Sequence, residues 1–311
     1  MRPVAHLTKL LPALLTVGLL AAFLSACGSG GGTAAGDSDG KLRVVAAEDF
    51  WGSLAAQLGG DRVEVTSLIT SPSADPHDYE PTSEDARTMA TAQLAIVNGI
   101  GYDAWATKLL EAEPNGERAE LDVGALLGLA EGDNPHQWYS PPAVRRVIDR
   151  ITAEYERADP AGKAYFERRR QRFERTGLAE YRRLIERIRS RYSGTPVGAS
   201  ESIFAPLATA LGLDLVTPGS FLDAVSEGIE PTPADKVAVD RQLAERKVDV
   251  WVYNSQNATP DVQRLNDAAE AAGIPVATVT ETPTPEGVSF QAWQVRELRG
   301  LEAALARSGG R

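Results

Sequence analysis

Residues 161–192, AGKAYFERRRQRFERTGLAEYRRLIERIRSRY, constrain this chain most. The run contains no proline, is rich in Arg and Glu, and spaces Phe166, Phe173, Tyr181, Leu184, Ile185 and Ile188 as an irregular apolar stripe. That pattern predicts one long, exposed helix. Asp159-Pro160 supplies its start, with Asp as N-cap and Pro in the first turn. The interleaved glutamates fit a solvated, ion-paired face better than a nucleic-acid surface.

On either side, strand-like and helix-like segments alternate. KLRVVAAEDF, RVEVTSLIT and LAIVNGIG read as strands, the first and third as buried apolar runs. Between and after them, WGSLAAQLGG (with Trp51, Leu54 and Leu58 in helical spacing), EDARTMATAQ and YDAWATKLLEA read as helices. PPAVRRVIDRITAEYERA places Val144, Val147, Ile148, Ile151 and Tyr155 on one helical face. After Pro196 the alternation returns through VGASESIF, APLATALGL, DLVTPG, PADKVAVDRQLAERK, VDVWVYN, TPDVQRLNDAAEAAGI and PVATVTE. It closes on the helix FQAWQVRELRGLEAALARS. The expected class is α/β: two similar lobes with mostly parallel sheets, joined by one long rigid α-helix. The expected divisions are 41–158 for the first lobe, 159–193 for the linking helix and 194–311 for the second lobe.

The N-terminus lies outside this plan. Arg2 and Lys9 precede an apolar run of 17 residues from Leu10 to Ala26, the layout of an export signal over residues 1–26. The run is short for a membrane span. Cys27, the only cysteine, follows Leu24-Ser25-Ala26 and resembles the acylated cysteine of a bacterial lipobox. Lipid on Cys27 would anchor the chain to the extracytoplasmic face of the cell membrane. Residues 27–40, rich in Gly, Ser and Ala, read as a tether. A single cysteine excludes an internal disulfide. Loss of Arg2 and Lys9 with the leader takes the formal charge from −11 to −13. A net acidic chain attracts cations rather than nucleic acid or an anionic membrane.

Outside the leader the chain has two histidines, His77 in ADPHDYEPT and His136 in DNPHQWYSPP. Both follow proline, which restrains the loop around them. His77 comes shortly after a strand, at the end of an open sheet where ligands sit. Asp75, Asp78 and Glu80 near His77, and Asn134 near His136, are available to hold the second ring nitrogen, as metal-binding histidines require.

ADPHDYEPTSED, VNGIGYDAW, NPHQWYSPPAV and the central helix together resemble the metal-binding solute receptors of bacterial ABC importers. These are the zinc/manganese type, also called cluster A-I or the lipoprotein receptor antigen family. The similarity runs over most of residues 42–305. It implies two α/β lobes joined by one helix, with a metal held between them by two side chains from each lobe. His77 and His136 match the first two ligands and Glu201, in GASES, the third. The fourth is usually an aspartate after the last core strand. The nearest carboxylate here is Glu281, with Asp223, Glu227 and Glu230 as alternatives.

Two imidazoles and two carboxylates form a hard donor set, so Mn²⁺ is favoured, Zn²⁺ comes next and Fe²⁺ follows. The implied partners are a membrane permease with its ATPase, and the chain is expected to be a monomer and not an enzyme. The competing readings are an exported metal-dependent hydrolase, against which stands the absence of HExxH and GxSxG motifs, and an adhesin or scaffold that has lost metal binding.

Overall fold

The structure is a computed structural model that describes residues 40–309, apart from Asp75 and Asp78. The signal-peptide, tether and Cys27 expectations therefore lie outside the described residues. Among the described residues no helix is long and apolar enough to cross a membrane.

The chain first builds strand β1 (Leu42–Glu48), helix α1 (Asp49–Gly59), β2 (Val63–Ile69), α2 (Ser83–Thr91), β3 (Leu94–Val97), α3 (Ala104–Ala112), β4 (Ala119–Asp122) and α4 (Val123–Leu127). These strands form one parallel sheet in the order β2-β1-β3-β4. β1 and β3 are central, and their unbroken apolar runs are buried on both faces. β4, AELD, is a strand the sequence reading passed over: two of its four residues are acids.

Three helices follow: α5 (Pro141–Ala158), α6 (Lys163–Arg172) and α7 (Ala179–Tyr192). Then come β5 (Pro196–Ala199), α8 (Ala205–Leu211), β6 (Asp214–Leu215), α9 (Gly219–Ser226), α10 (Pro233–Ala244), β7 (Val250–Asn254), α11 (Pro260–Ala271), β8 (Val276–Val279) and α12 (Phe290–Ser308). The second sheet, β6-β5-β7-β8, is also parallel. Each sheet places its own strands in the order second, first, third, fourth, so the two halves share one topology.

The helix ends follow local chemistry. Thr82 and Asp85 form a capping box on α2, each side chain bonding the other's backbone N–H. Ser140, Thr232 and Thr259 cap α5, α10 and α11, each with Pro at the first helical position.

The run expected as one α-helix is not uniform. A short 3₁₀ turn at Pro160–Gly162 leads into α6, and a π-turn at Phe173–Gly177 separates α6 from α7. The wider winding lets Phe173 turn inward above Gly177, where an added Cβ would lie 2.7 Å from its ring. It also lets Tyr181, Leu184 and Ile188 bury on the next turns.

One apolar core runs through both halves. It joins Ile96 of β3, Tyr155 of α5, Leu184 of α7, Trp251 of β7 and Leu301 of α12. A second cluster covers the other face of the first sheet, from Val45 and Val97 to Met89 and Trp105. α12 ties the halves at its start: Phe290 N donates to Ser53 Oγ at 3.0 Å, and the Gln57 and Gln291 amides bond at 2.7 and 3.0 Å.

Candidate metal centre

Three of the four candidate ligands follow the carboxyl ends of strands, where an open parallel sheet leaves room for a ligand. His77 lies in the loop after β2, Glu201 just after β5 and Glu281 just after β8. His136 lies between α4 and α5, at the start of a short 3₁₀ turn.

Each loop is held by a side chain from a neighbouring element. Trp105 on α3 donates its indole N–H to the Pro76 carbonyl at 3.2 Å, which fixes the backbone beside His77. Asn98, after β3, accepts from Trp51 Nε1 at 3.0 Å and donates to the Pro135 carbonyl at 3.1 Å, which fixes the backbone beside His136. The chain turns sharply there at Gly99 (φ 71°), where a Cβ would meet Asp122 Oδ1 at 2.3 Å. Gln256, after β7, accepts from the backbone N–H groups of Glu281 and Thr282 at 2.7 and 2.9 Å.

Tyr139 reaches across from the first half. Its hydroxyl donates to the Thr280 carbonyl and lies 2.6 Å from Glu297 Oε2. Asn98, Trp105, Tyr139 and Gln256 were not anticipated as supports. The NGIGYDAW segment carried a signal for two of them.

These supports bring three of the four expected residues together. His77 Nε2 lies 3.6 Å from Glu281 Oε1, and His136 Nε2 lies 3.8 Å from the same atom. One donor atom from each residue falls within 4.8 Å of the others. Both distances exceed a hydrogen bond, and Glu281 Oε1 is buried with no hydrogen-bond partner.

Glu201 stands outside that close group. It is 3% exposed, accepts from Asn257 Nδ2 at 3.1 Å through Oε2, and leaves Oε1 buried and unpartnered. Asp223 and Glu227 line a cavity of about 280 Å³ that His77, His136 and Tyr102 also line. Glu230 is no ligand candidate here: it is exposed and paired with Lys236.

The histidine support expected of Asn134 is present. Its Oδ1 lies 2.9 Å from His136 Nδ1 and accepts from the His136 backbone N–H at 2.9 Å, while its Nδ2 donates to the Ser202 carbonyl at 2.7 Å. Asn Oδ1 only accepts, so Nδ1 carries the proton and the Nε2 lone pair faces Glu281. Asp75 and Asp78, the expected counterparts beside His77, lie outside the described residues, and Glu80 is exposed.

The protonation states follow from burial and neighbours. Burial holds His136 below the ordinary imidazole range, against the pull of Glu281. Burial pushes Glu281 up, but the His136 and His77 rings outweigh it and hold the carboxyl well below its usual range. Burial, with Glu281 nearby, pushes Glu201 up to about 7. The centre is thus a neutral imidazole facing a carboxylate, with a second buried acid unsatisfied. A divalent cation completes such a set without leaving lone pairs opposed.

Aromatic rings wall the centre. Tyr102 meets His77 edge-on at 4.7 Å, Trp138 meets His136 at 5.2 Å, and Phe50 stacks on Trp138 at 4.1 Å. They pack against both imidazole rings.

Known proteins are similar to this chain in sequence and fold. The manganese ABC transporter substrate-binding lipoprotein PsaA of Streptococcus pneumoniae is 26% identical over 328 residues, covering 96% of this chain and all of that protein. The high-affinity zinc uptake system protein ZnuA of Bacillus subtilis is 26% identical over 208 residues, 61% of this chain and 62% of that one.

Among solved structures, FpvC of Pseudomonas aeruginosa in complex with Mn²⁺ superposes with a TM-score of 0.70 at 21% identity, over 86% of this chain and all of that one. The periplasmic zinc-binding protein TroA of Treponema pallidum superposes with a TM-score of 0.70 at 18% identity, over 86% and 99%. At these identities the two structures establish the fold. Residues 44–304 match the family described as ZnuA, zinc-uptake complex component A, periplasmic, and the chain belongs to that family.

Proposed function

We infer that this chain is the extracytoplasmic substrate-binding lipoprotein of a metal ABC importer. It captures a divalent transition metal between its two sheets and delivers it to the membrane permease and its ATPase. The convergence of His77, His136 and Glu281 on one point, with the buried Glu281 oxygen lacking a hydrogen-bond partner, carries this reading.

The ligands we assign are His77, His136, Glu281 and Glu201. Glu201 completes the set through its buried, unpartnered Oε1. Asn134 presents the Nε2 lone pair of His136, and Gln256 presents Glu281. The transporter names of the matched relatives favour a receptor over the hydrolase or scaffold readings.

Two carboxylates and two imidazoles favour Mn²⁺, with Zn²⁺ bound as well because it stands higher in the affinity series, and Fe²⁺ after them. Residues 41–158 and 194–311 act as the two lobes, and 159–193 as their connection. Acylation of Cys27 after removal of residues 1–26 anchors the chain at the extracytoplasmic face.

Calorimetric titration with Mn²⁺ and Zn²⁺ tests this. One ion binds per chain, and at 100 times its Kd it raises stability by about 2.7 kcal/mol. His77→Ala loses both the bound ion and the stabilisation. Full metal content in that variant would show the assignment to be wrong.

A further inference from the structure

The net acidity of the chain conceals a segregation of charge. Residues 163–192 carry eleven Lys and Arg against four Glu, a formal +7. Residues 41–140 carry six cationic against seventeen acidic side chains, and 193–311 nine against sixteen. The basic segment is α6, the π-turn and α7. Its buried faces, Phe166 and Phe173 then Tyr181, Leu184 and Ile188, turn into the core, so the arginines form an exposed ridge.

Part of that ridge is neutralised as the sequence suggested. Arg170 pairs with Asp149 at 2.6 Å and Glu174 at 3.7 Å, Arg183 with Glu180 at 2.6 Å, and Arg187 with Glu302 at 2.6 Å. A larger part is not. Arg168, Arg172, Arg175, Arg189 and Arg191 are exposed and belong to none of the ion pairs among the described residues. Glu167 and Glu186 are the exposed acids on the same run. Three of these, Arg168, Arg172 and Arg175, follow at i, i+4 and i+7 on the side away from the core, and such a row on an otherwise acidic molecule matches an anionic surface, guanidinium suiting phosphate in particular.

We propose that the α6–α7 ridge rests on the anionic phospholipid headgroups of the membrane that holds the chain, an inference that depends on the acylation of Cys27. The anchor makes the contact intramolecular, at an effective concentration on the order of millimolar, so modest attraction suffices to populate it. Screening over about 8 Å at physiological ionic strength confines that attraction to the side facing the bilayer. With the ridge down, the arginines meet lipid phosphate, and the acidic lobes contribute little repulsion. No ridge residue lines the metal cavity, so the contact leaves the cavity uncovered.

The test uses the full acylated chain reconstituted into vesicles. Cys27 is its only cysteine, so Ser190→Cys on the ridge, or Lys108→Cys on α3, introduces a single free thiol for a fluorescent donor. Energy transfer to an acceptor lipid is read in phosphatidylcholine vesicles with and without phosphatidylglycerol.

We expect transfer from position 190 to rise severalfold over that from position 108 when phosphatidylglycerol is present. High salt should abolish the rise, as should Arg172→Glu with Arg175→Glu and Arg189→Glu. Arg→Gln at the same sites serves if the reversed set misfolds. Equal transfer in both lipids, or a rise that survives the arginine changes, overturns the proposal. So does a ridge label shielded only by isolated cell-wall polymer. Mass analysis of Cys27 and Mn²⁺ titration of the same sample report separately on the anchor and on metal binding.

Discussion

Asn134 makes the sharpest case for the metal centre because it touches no metal. Its Oδ1 serves both the ring Nδ1 and the backbone N–H of His136, and its Nδ2 ties that loop to the Ser202 carbonyl on the other side of the cleft. Asn134→Ala removes the acceptor that keeps the proton on Nδ1. The imidazole is then free to place the proton on Nε2, where it blocks coordination, and to rotate within its cage. Loss of such a support lowers metal affinity by roughly 10- to 100-fold, or about 1.4 to 2.7 kcal/mol.

The apo-protein loses stability as well, because partly buried backbone groups lose their partners, each worth roughly 1 kcal/mol. Calorimetry with Mn²⁺ and urea unfolding of the apo-protein separate the two effects. A variant that loses apo stability while binding Mn²⁺ as tightly as the parent would refute the tautomer argument and leave Asn134 a purely structural tie.

The junction between the halves yields two further predictions. Burial pushes Glu297 up to about 7 from a free value of 4.5, although Tyr139, Thr280 and Trp293 donate to it. The folded state therefore keeps a proton that the unfolded chain has already released. Stability contributed by this group should fall by about 3 kcal/mol as pH rises from 4.5 to 7 and level off above, and Glu297→Gln should flatten that slope in urea titrations at several pH values. Tyr139→Phe keeps the ring but removes the one hydroxyl shared between Thr280 O and Glu297, and should cost roughly 1–3 kcal/mol in the same assay. A double variant whose cost merely sums the two single costs would mean the groups do not act as one network.

The fold was legible wherever one residue pattern decided one element. β3 is an unbroken apolar run and β1 carries one from Val44 to Ala47, and α12 covers the stretch its periodicity marked. β4 was not legible, because a four-residue edge strand with two acids carries no apolar signal. The π-turn was not legible either, because it depends on Phe173 packing over Gly177, a contact made only once the core forms.

At the site, scarcity exposed the two histidines, and Pro-His placed them in restrained loops. Glu281 was suggested by the family resemblance, as the carboxylate nearest the place after the last core strand, and the structure puts it beside both histidines. The supports that aim these residues escaped notice for one reason. Trp105, Asn98 and Gln256 bond to backbone groups 25 to 37 positions away, and a backbone partner leaves no residue type to recognise.

Release must be reconciled with a molecule whose halves share one core. Wide hinge opening would break the Tyr139–Thr280 and Tyr139–Glu297 bonds, part Phe290 from Ser53 and expose apolar surface along α7 and α12. His136 is 2% exposed, and both it and Glu281 lie beside this network. The His77 side chain is 34% exposed, and the Pro76 carbonyl beside it accepts from Trp105. Of the three converging residues, His77 is the most exposed, ahead of Glu281 at 15% and His136 at 2%.

We therefore expect the ion to leave through displacement of the 70–82 loop while the sheets keep their packing. Amide hydrogen exchange checks this directly. On removal of metal, exchange should quicken in 70–82 and stay slow in 279–297. Matched acceleration in both segments would mean that the halves separate as bodies, and that the shared core does not restrain them.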